Sequence, residues 1–188
     1  MQQPEQIQFS LPPWLSPFLA QQPSYLTTLE ERMALVLEAC AENIAHQSGG
    51  PFAAALFDQH SGELLSLGVN RVPTERLSPL HAEVVAIMLA ERQLWGVSPR
   101  PSLQIVCSSE PCAMCLGAMS WAGITSLVTA ASGADVEAIG FDEGDKPTTW
   151  QQKLQQRGVE VITGVAQQRA VLLLQQYQRS GGVIYNGG

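Results

Sequence analysis

Two short segments limit the folds open to this chain more than any other feature: His81-Ala82-Glu83 and, downstream, Pro111-Cys112-Ala113-Met114-Cys115. Each opens a stretch that reads as helix. Cys112 and Cys115 are three residues apart, so at the start of a helix they share a face and can reach one ion. The helix N-terminus also favours their thiolate forms. With His81 they supply three of the four ligands of a tetrahedral Zn²⁺. No second Cys-x-x-Cys or His-x-x-x-His pair exists to complete the shell. The count predicts an open, catalytic zinc that keeps one position for water. Glu83 follows His81 by two residues, and in a helix such positions diverge by about 200°. At the first turn both can still face a cleft at the helix mouth, one toward the metal and the other toward its water. A chain that gathers these segments must bring two helix starts to the same place.

The remaining pattern supplies a scaffold for that. Thr28 with Glu31 forms a capping box, and Leu29, Met33, Val36, Leu37, Cys40 and Ile44 recur at helical spacing behind it. That predicts a helix over 28–46. Segments 51–57 and 64–70, joined by a turn at 58–62, read as a hairpin. A proline-bearing loop over 72–79 leads to a helix over 80–95. Strands are predicted at 103–107, 127–130 and 159–162, with a helical turn at 135–139. Further helices are predicted over 149–157 and 167–179, the last burying Val171, Leu172, Leu174 and Tyr177. A hairpin followed by helix–strand units gives an α/β fold of three layers, α/β/α, with helices on both faces of the sheet. Both metal-binding segments then lie at one sheet edge, where open α/β folds hold ligands. Residues 1–26, rich in Pro and Gln, read as an N-terminal extension outside the compact core, and 27–188 as the zinc-dependent domain.

Charge and cysteine usage narrow the function classes. Ten Lys and Arg against seventeen Asp and Glu give a formal charge of −7, and the basic residues are scattered. A nucleic-acid partner is therefore not expected. No stretch has the length of a membrane span. Cys40 and Cys107 read as buried small hydrophobes. Free thiols fit a reducing compartment, and Pro12, Pro13 and Pro17 without a basic n-region make a poor signal peptide. A cytoplasmic protein is expected.

The pairing of His81-Ala82-Glu83 with Pro111-Cys112-Ala113-Met114-Cys115 resembles the cytidine deaminase-like superfamily, in which the acidic residue is acid and base and not a ligand. Gly50-Pro51-Phe52-Ala53, Gly68-Val69-Asn70, Cys115-Leu116-Gly117-Ala118, Trp121-Ala122 and Gly140-Phe141-Asp142-Glu143 resemble its bacterial guanine deaminase branch. The resemblance covers 28 to the C-terminus. It implies a mixed five-stranded sheet, one zinc per subunit, and a homodimer whose C-terminal segments can be exchanged. His81, Cys112 and Cys115 would hold zinc, and Glu83 would shuttle protons around zinc-bound hydroxide. Glu143 would be a second catalytic carboxylate near the exocyclic amine, at a position where relatives can carry Asp. Asn70 would hydrogen-bond the purine and Phe52 stack on it. Ala82 and Trp121 are assigned to the substrate site, Trp121 by packing against the cysteine helix. Tyr185 or Asn186 would close the pocket, from the same chain or from a partner. By residue pattern alone, Phe52 reads as a core aromatic, Asn70 equally as a turn residue, and Glu143 as a solvated loop acid.

The implied reaction is hydrolysis of guanine to xanthine and ammonia. Other readings are a tRNA adenosine deaminase, or a deaminase of a related amino-heterocycle such as a triazine, a pterin or cytosine. An RNA substrate calls for clustered Lys and Arg, whereas the final helix carries only Arg169 and Arg179. A non-catalytic zinc domain would need a fourth ligand or lack Glu83.

Overall fold

The first long helix starts where its capping box places it. In the computed structural model, which describes residues 4–186, helix α1 spans Leu15–Leu19 and helix α2 spans Leu29–Ala45. Thr28 Oγ1 accepts from the Glu31 amide at 3.1 Å. Glu31 Oε2 accepts in return from the Thr28 amide at 3.0 Å. This reciprocal arrangement satisfies two otherwise unpaired donors.

Strands β1 (Ala53–Asp58) and β2 (Leu64–Val69) form the expected hairpin, followed by the short helix α3 (Val72–Glu75) and by α4 (Ala82–Leu94). Then come β3 (Leu103–Ser109), α5 (Ala113–Ala122), β4 (Ile124–Ala131), α6 (Gly133–Glu137), α7 (Trp150–Gln156), β5 (Glu160–Ile162) and α8 (Gln167–Arg179). The five strands make one mixed sheet in the order β2-β1-β3-β4-β5. β1 is antiparallel to β2 and β3, while β3, β4 and β5 run parallel.

Apolar side chains fill both sides of this sheet. α2 and α8 close one core through Met33, Val36, Ala170, Leu174 and Tyr177. α4, α5 and α7 close the other through Ala86, Ala90, Met119 and Leu154. α4 can lie directly on β2 because Gly68 has no side chain: a Cβ there would stand 2.4 Å from the Ala82 carbonyl oxygen. That close approach sets the start of α4, and hence His81, at the end of β2.

Three expectations need correction. The segment read as lying outside the core contributes to it, since Leu15 and Leu26 are buried in the same cluster as α2. α3 forms inside the segment read as a loop, with Pro73 in its first turn, where the missing N–H costs nothing. In α8 the buried positions are Ala170, Leu174 and Tyr177, and Leu172 is 59% exposed. Positions 170, 174 and 177 follow one helical face and position 172 falls on the other.

Candidate active site

The metal donors come from two helix caps. Cys112 is the N-cap of α5 and His81 the N-cap of α4, both with extended backbone. Cys115 lies in the first turn of α5. The donor atoms of His81, Cys112 and Cys115 all lie within 4.8 Å of one another. Cys112 Sγ is 3.6 Å from Cys115 Sγ and 3.5 Å from His81 Nδ1. A tetrahedral ion with Zn–S about 2.3 Å and Zn–N about 2.0 Å separates its sulfurs by roughly 3.7 Å and sulfur from nitrogen by roughly 3.5 Å. The donor set therefore fits one zinc ion in both chemistry and spacing.

The contact between the two thiols moves them in opposite directions. Contact with Cys115 pulls the Cys112 thiol down to about 4 against the opposing effect of burial, with help from His81. The same contact, together with burial, pushes Cys115 up. Glu83, in the first turn of α4, is buried in the same pocket as His81 and Cys112. Burial first, and the charge on Cys112 second, push its carboxyl up to about 7. Such a group can both accept and return a proton near neutrality.

The wall opposite the cysteines is built from Phe52, Asn70, Phe141 and Tyr185, all lining the pocket. The Asn70 amide has a fixed orientation. Its Oδ1 accepts from the amides of Gly50 at 3.3 Å and Val72 at 3.1 Å, while buried Nδ2 has no partner among the described residues. A buried donor left unpaired is costly, so Nδ2 suits an acceptor on a bound molecule. Tyr185 Oη is likewise buried and without a partner among the described residues. Burial, before all else, pushes that phenol well up, so it keeps its proton. Phe141 meets the rings of both Phe52 and Tyr185 edge-on at 5.0 Å.

Glu143 also lines the pocket and is 8% exposed. Burial raises its pKa against the pull of Lys146, whose Nζ lies 2.9 Å from Glu143 Oε2. Asn186 stitches the C-terminal tail to this loop, accepting from the Asp142 amide at 2.9 Å and donating to the Gly140 carbonyl at 3.0 Å. The tail thus covers the pocket of its own chain.

Two assigned substrate residues stand elsewhere. Trp121 is 91% exposed and lies near the C-terminal end of α5, away from the cysteines at its start, so it does not line the pocket. The Ala82 side chain is turned into the core, and only its backbone lies at the mouth of α4, among first-turn amides that have no helical acceptor. The sequence alone gives Glu110 and Lys146 no site role, and Phe141 enters only as part of the Gly140-Phe141-Asp142-Glu143 motif. Their signal was proximity to Glu143 and to Pro111-Cys112.

This arrangement is that of a zinc-dependent deaminase. The chain belongs to the cytidine and deoxycytidylate deaminase zinc-binding family, whose model matches residues 26–131. Among solved structures, the guanine deaminase of Nitrosomonas europaea is 42% identical, with a TM-score of 0.87 over 95% of this chain and 100% of that one. NE0047 in complex with 2,6-diaminopurine is 45% identical, with a TM-score of 0.88 over 95% of this chain and 96% of that one. Among curated proteins, the guanine deaminase of Bacillus subtilis is 35% identical over 127 residues, 64% of this chain and 77% of that protein.

Proposed function

We propose that this chain hydrolyses guanine to xanthine and ammonia. The observation that carries the reading is one pocket lined by His81, Cys112, the buried carboxyl of Glu83 and Asn70, with Cys115 grouped beside the first two and Asn70 Nδ2 without a partner among the described residues. The similarity to guanine deaminases supports the choice of base.

Zinc, when held by His81, Cys112 and Cys115, supplies a water polarised for attack at neutral pH. Glu83 takes the proton of the attacking water and delivers it to the ring nitrogen beside C2, which makes that carbon electrophilic. Asn70 Nδ2 donates to a purine acceptor, and Phe52 and Phe141 bound the ring. Glu143 stands by the exocyclic amine and serves its departure as ammonia. Tyr185 closes the pocket and shields the reaction from bulk water.

We further infer a cytoplasmic homodimer. Exposed Met88 and Trp95 on the α4 side, with Met114 and Trp121 on α5, give one helical layer an apolar surface suited to a second copy. Exchange of the C-terminal segments would deliver the same Tyr185 to the partner's pocket.

The test is ammonia release by zinc-loaded protein from guanine, adenine, cytidine, adenosine and an anticodon stem-loop RNA, with Glu83→Ala as control. Release from guanine that the substitution abolishes is expected. Release from the RNA alone would overturn the reading in favour of an editing enzyme.

A further inference from the structure

Among the described residues, Lys146 is the one cation in salt-bridge contact with the second carboxylate. Its Nζ donates to Glu143 Oε2 at 2.9 Å and lies 3.4 Å from Glu110 Oε2. The side chains of Lys146, Glu110 and Glu143 are 12%, 14% and 9% exposed, so water contributes little to screening this group. The ammonium also lies 5.8 Å from the centre of the Trp150 ring.

The surroundings are shaped to admit it. A Cβ on Gly133 would stand 2.7 Å from Lys146 Nζ, so any larger residue there would displace the ammonium from this position. The Gly133 amide donates to the same Glu110 oxygen at 3.1 Å. The backbone of the loop is pinned separately. The Glu143 carbonyl accepts from the Ala113 amide at 3.0 Å, and the Gly144 amide donates to Asp142 Oδ1 at 2.7 Å. The main chain of Glu143 is therefore set by α5, and its side chain by Lys146. Of the two carboxylate oxygens, Oε2 is occupied by Lys146, while Oε1 has no hydrogen-bond partner among the described residues.

We propose that Lys146 is the positioning residue of the reaction: by holding Glu143 Oε2 it stops the carboxylate from rotating and presents Oε1 to the exocyclic amine of the substrate. The proposal rests on the reading of Glu143 given above. Lys146 touches neither substrate nor metal in it, and acts only through Glu143. A lone carboxylate on this loop could turn about its last torsion, which is broad for glutamate. Misplacement of a reacting group by about 1 Å can cost on the order of a hundredfold in rate.

A merely structural Lys146, tying Glu110 to the loop, makes a different prediction. The experiment is a double-mutant cycle on guanine turnover with Lys146→Met, Glu143→Gln and the pair, at matched zinc content. Lys146→Gln, which keeps a donor without the charge, is a second variant should the first fail to fold. The expected result is a kcat lowered at least tenfold in Lys146→Met with KM within about threefold, and no further loss when Lys146→Met is added to Glu143→Gln. Propylammonium added to Lys146→Ala should restore part of kcat. Equal losses from Lys146→Met in both backgrounds overturn the proposal and leave the role of Glu143 standing. Full turnover by Glu143→Gln overturns both.

Discussion

The two ends of strand β3 both bury polar side chains and treat them in opposite ways. At its start, Arg32 Nε donates to the Leu26 carbonyl at 2.8 Å and Nη1 to Gln104 Oε1 at 2.6 Å. Gln104 Nε2 donates to Ser126 Oγ at 3.0 Å, and Ser126 Oγ to Glu160 Oε2 at 3.1 Å. Five residues on, roughly 17 Å away along the strand, Ser109 leads into the pocket. There Asn70 Nδ2 and Tyr185 Oη are buried with no partner among the described residues, and Glu83 is buried with its pKa displaced. The closed network stabilises the fold, while the open one reserves its hydrogen bonds for a ligand. Burial of polar groups alone does not identify a site; unpaired groups that share a pocket with metal donors point to one.

Substitutions should separate the two ends, and the largest effect belongs to Glu83. Glu83→Gln should lower kcat by about 10²–10⁴-fold while zinc content, measured by atomic absorption, stays at one per chain. A loss of zinc along with activity would make Glu83 a support of the metal and not a proton carrier. At the other end, Arg32→Ala leaves the Leu26 carbonyl and Gln104 Oε1 without their donor. It should cost about 3–4 kcal/mol in chemical denaturation and leave the KM for guanine unchanged.

A third test concerns pH in the metal-free protein. The folded Glu83 carboxyl titrates at about 7 and its ordinary value is 4.5, so between these the folded state binds more protons than the unfolded one. Its contribution is full below about pH 4.5 and is lost as pH rises through about 7. Glu83→Gln should therefore stabilise the apoprotein at pH 8 by up to about 3 kcal/mol, and have no such effect at pH 4. An equal effect at both pH values would remove the linkage. The smallest change is expected far from either end: Thr28→Ala removes the cap of α2 and should cost about 1 kcal/mol with turnover unaltered.

What could be read from the sequence was local or motif-borne. The zinc donors are paired by spacing within a helix turn, and the Thr28–Glu31 cap spans only three residues. Both were legible for that reason. The strands and the two-faced sheet followed from alternation and element order. The direction of the Asn70 amide was not legible, because it is set by Gly50 across the hairpin and by Val72. Nor was Lys146, whose partners Glu110 and Gly133 come from other turns of the chain. Trp121 misled because a large aromatic near a metal helix reads as packing, whereas it is carried on the outer face. Leu172 misled because a run of three leucines fits a helix whichever of its faces is buried.

The most direct test of the contrast is kcat/KM for guanine in Asn70→Ala, with thermal unfolding of the same protein. The substitution removes the Oδ1 that accepts from Gly50 and Val72 along with the Nδ2 donor, so it should lower the melting temperature, and it should lower kcat/KM about 10–100-fold through the lost hydrogen bond to the base. A variant that melts several degrees lower and turns over guanine normally would contradict the account, and would place Asn70 with the structural network at the other end of the sheet.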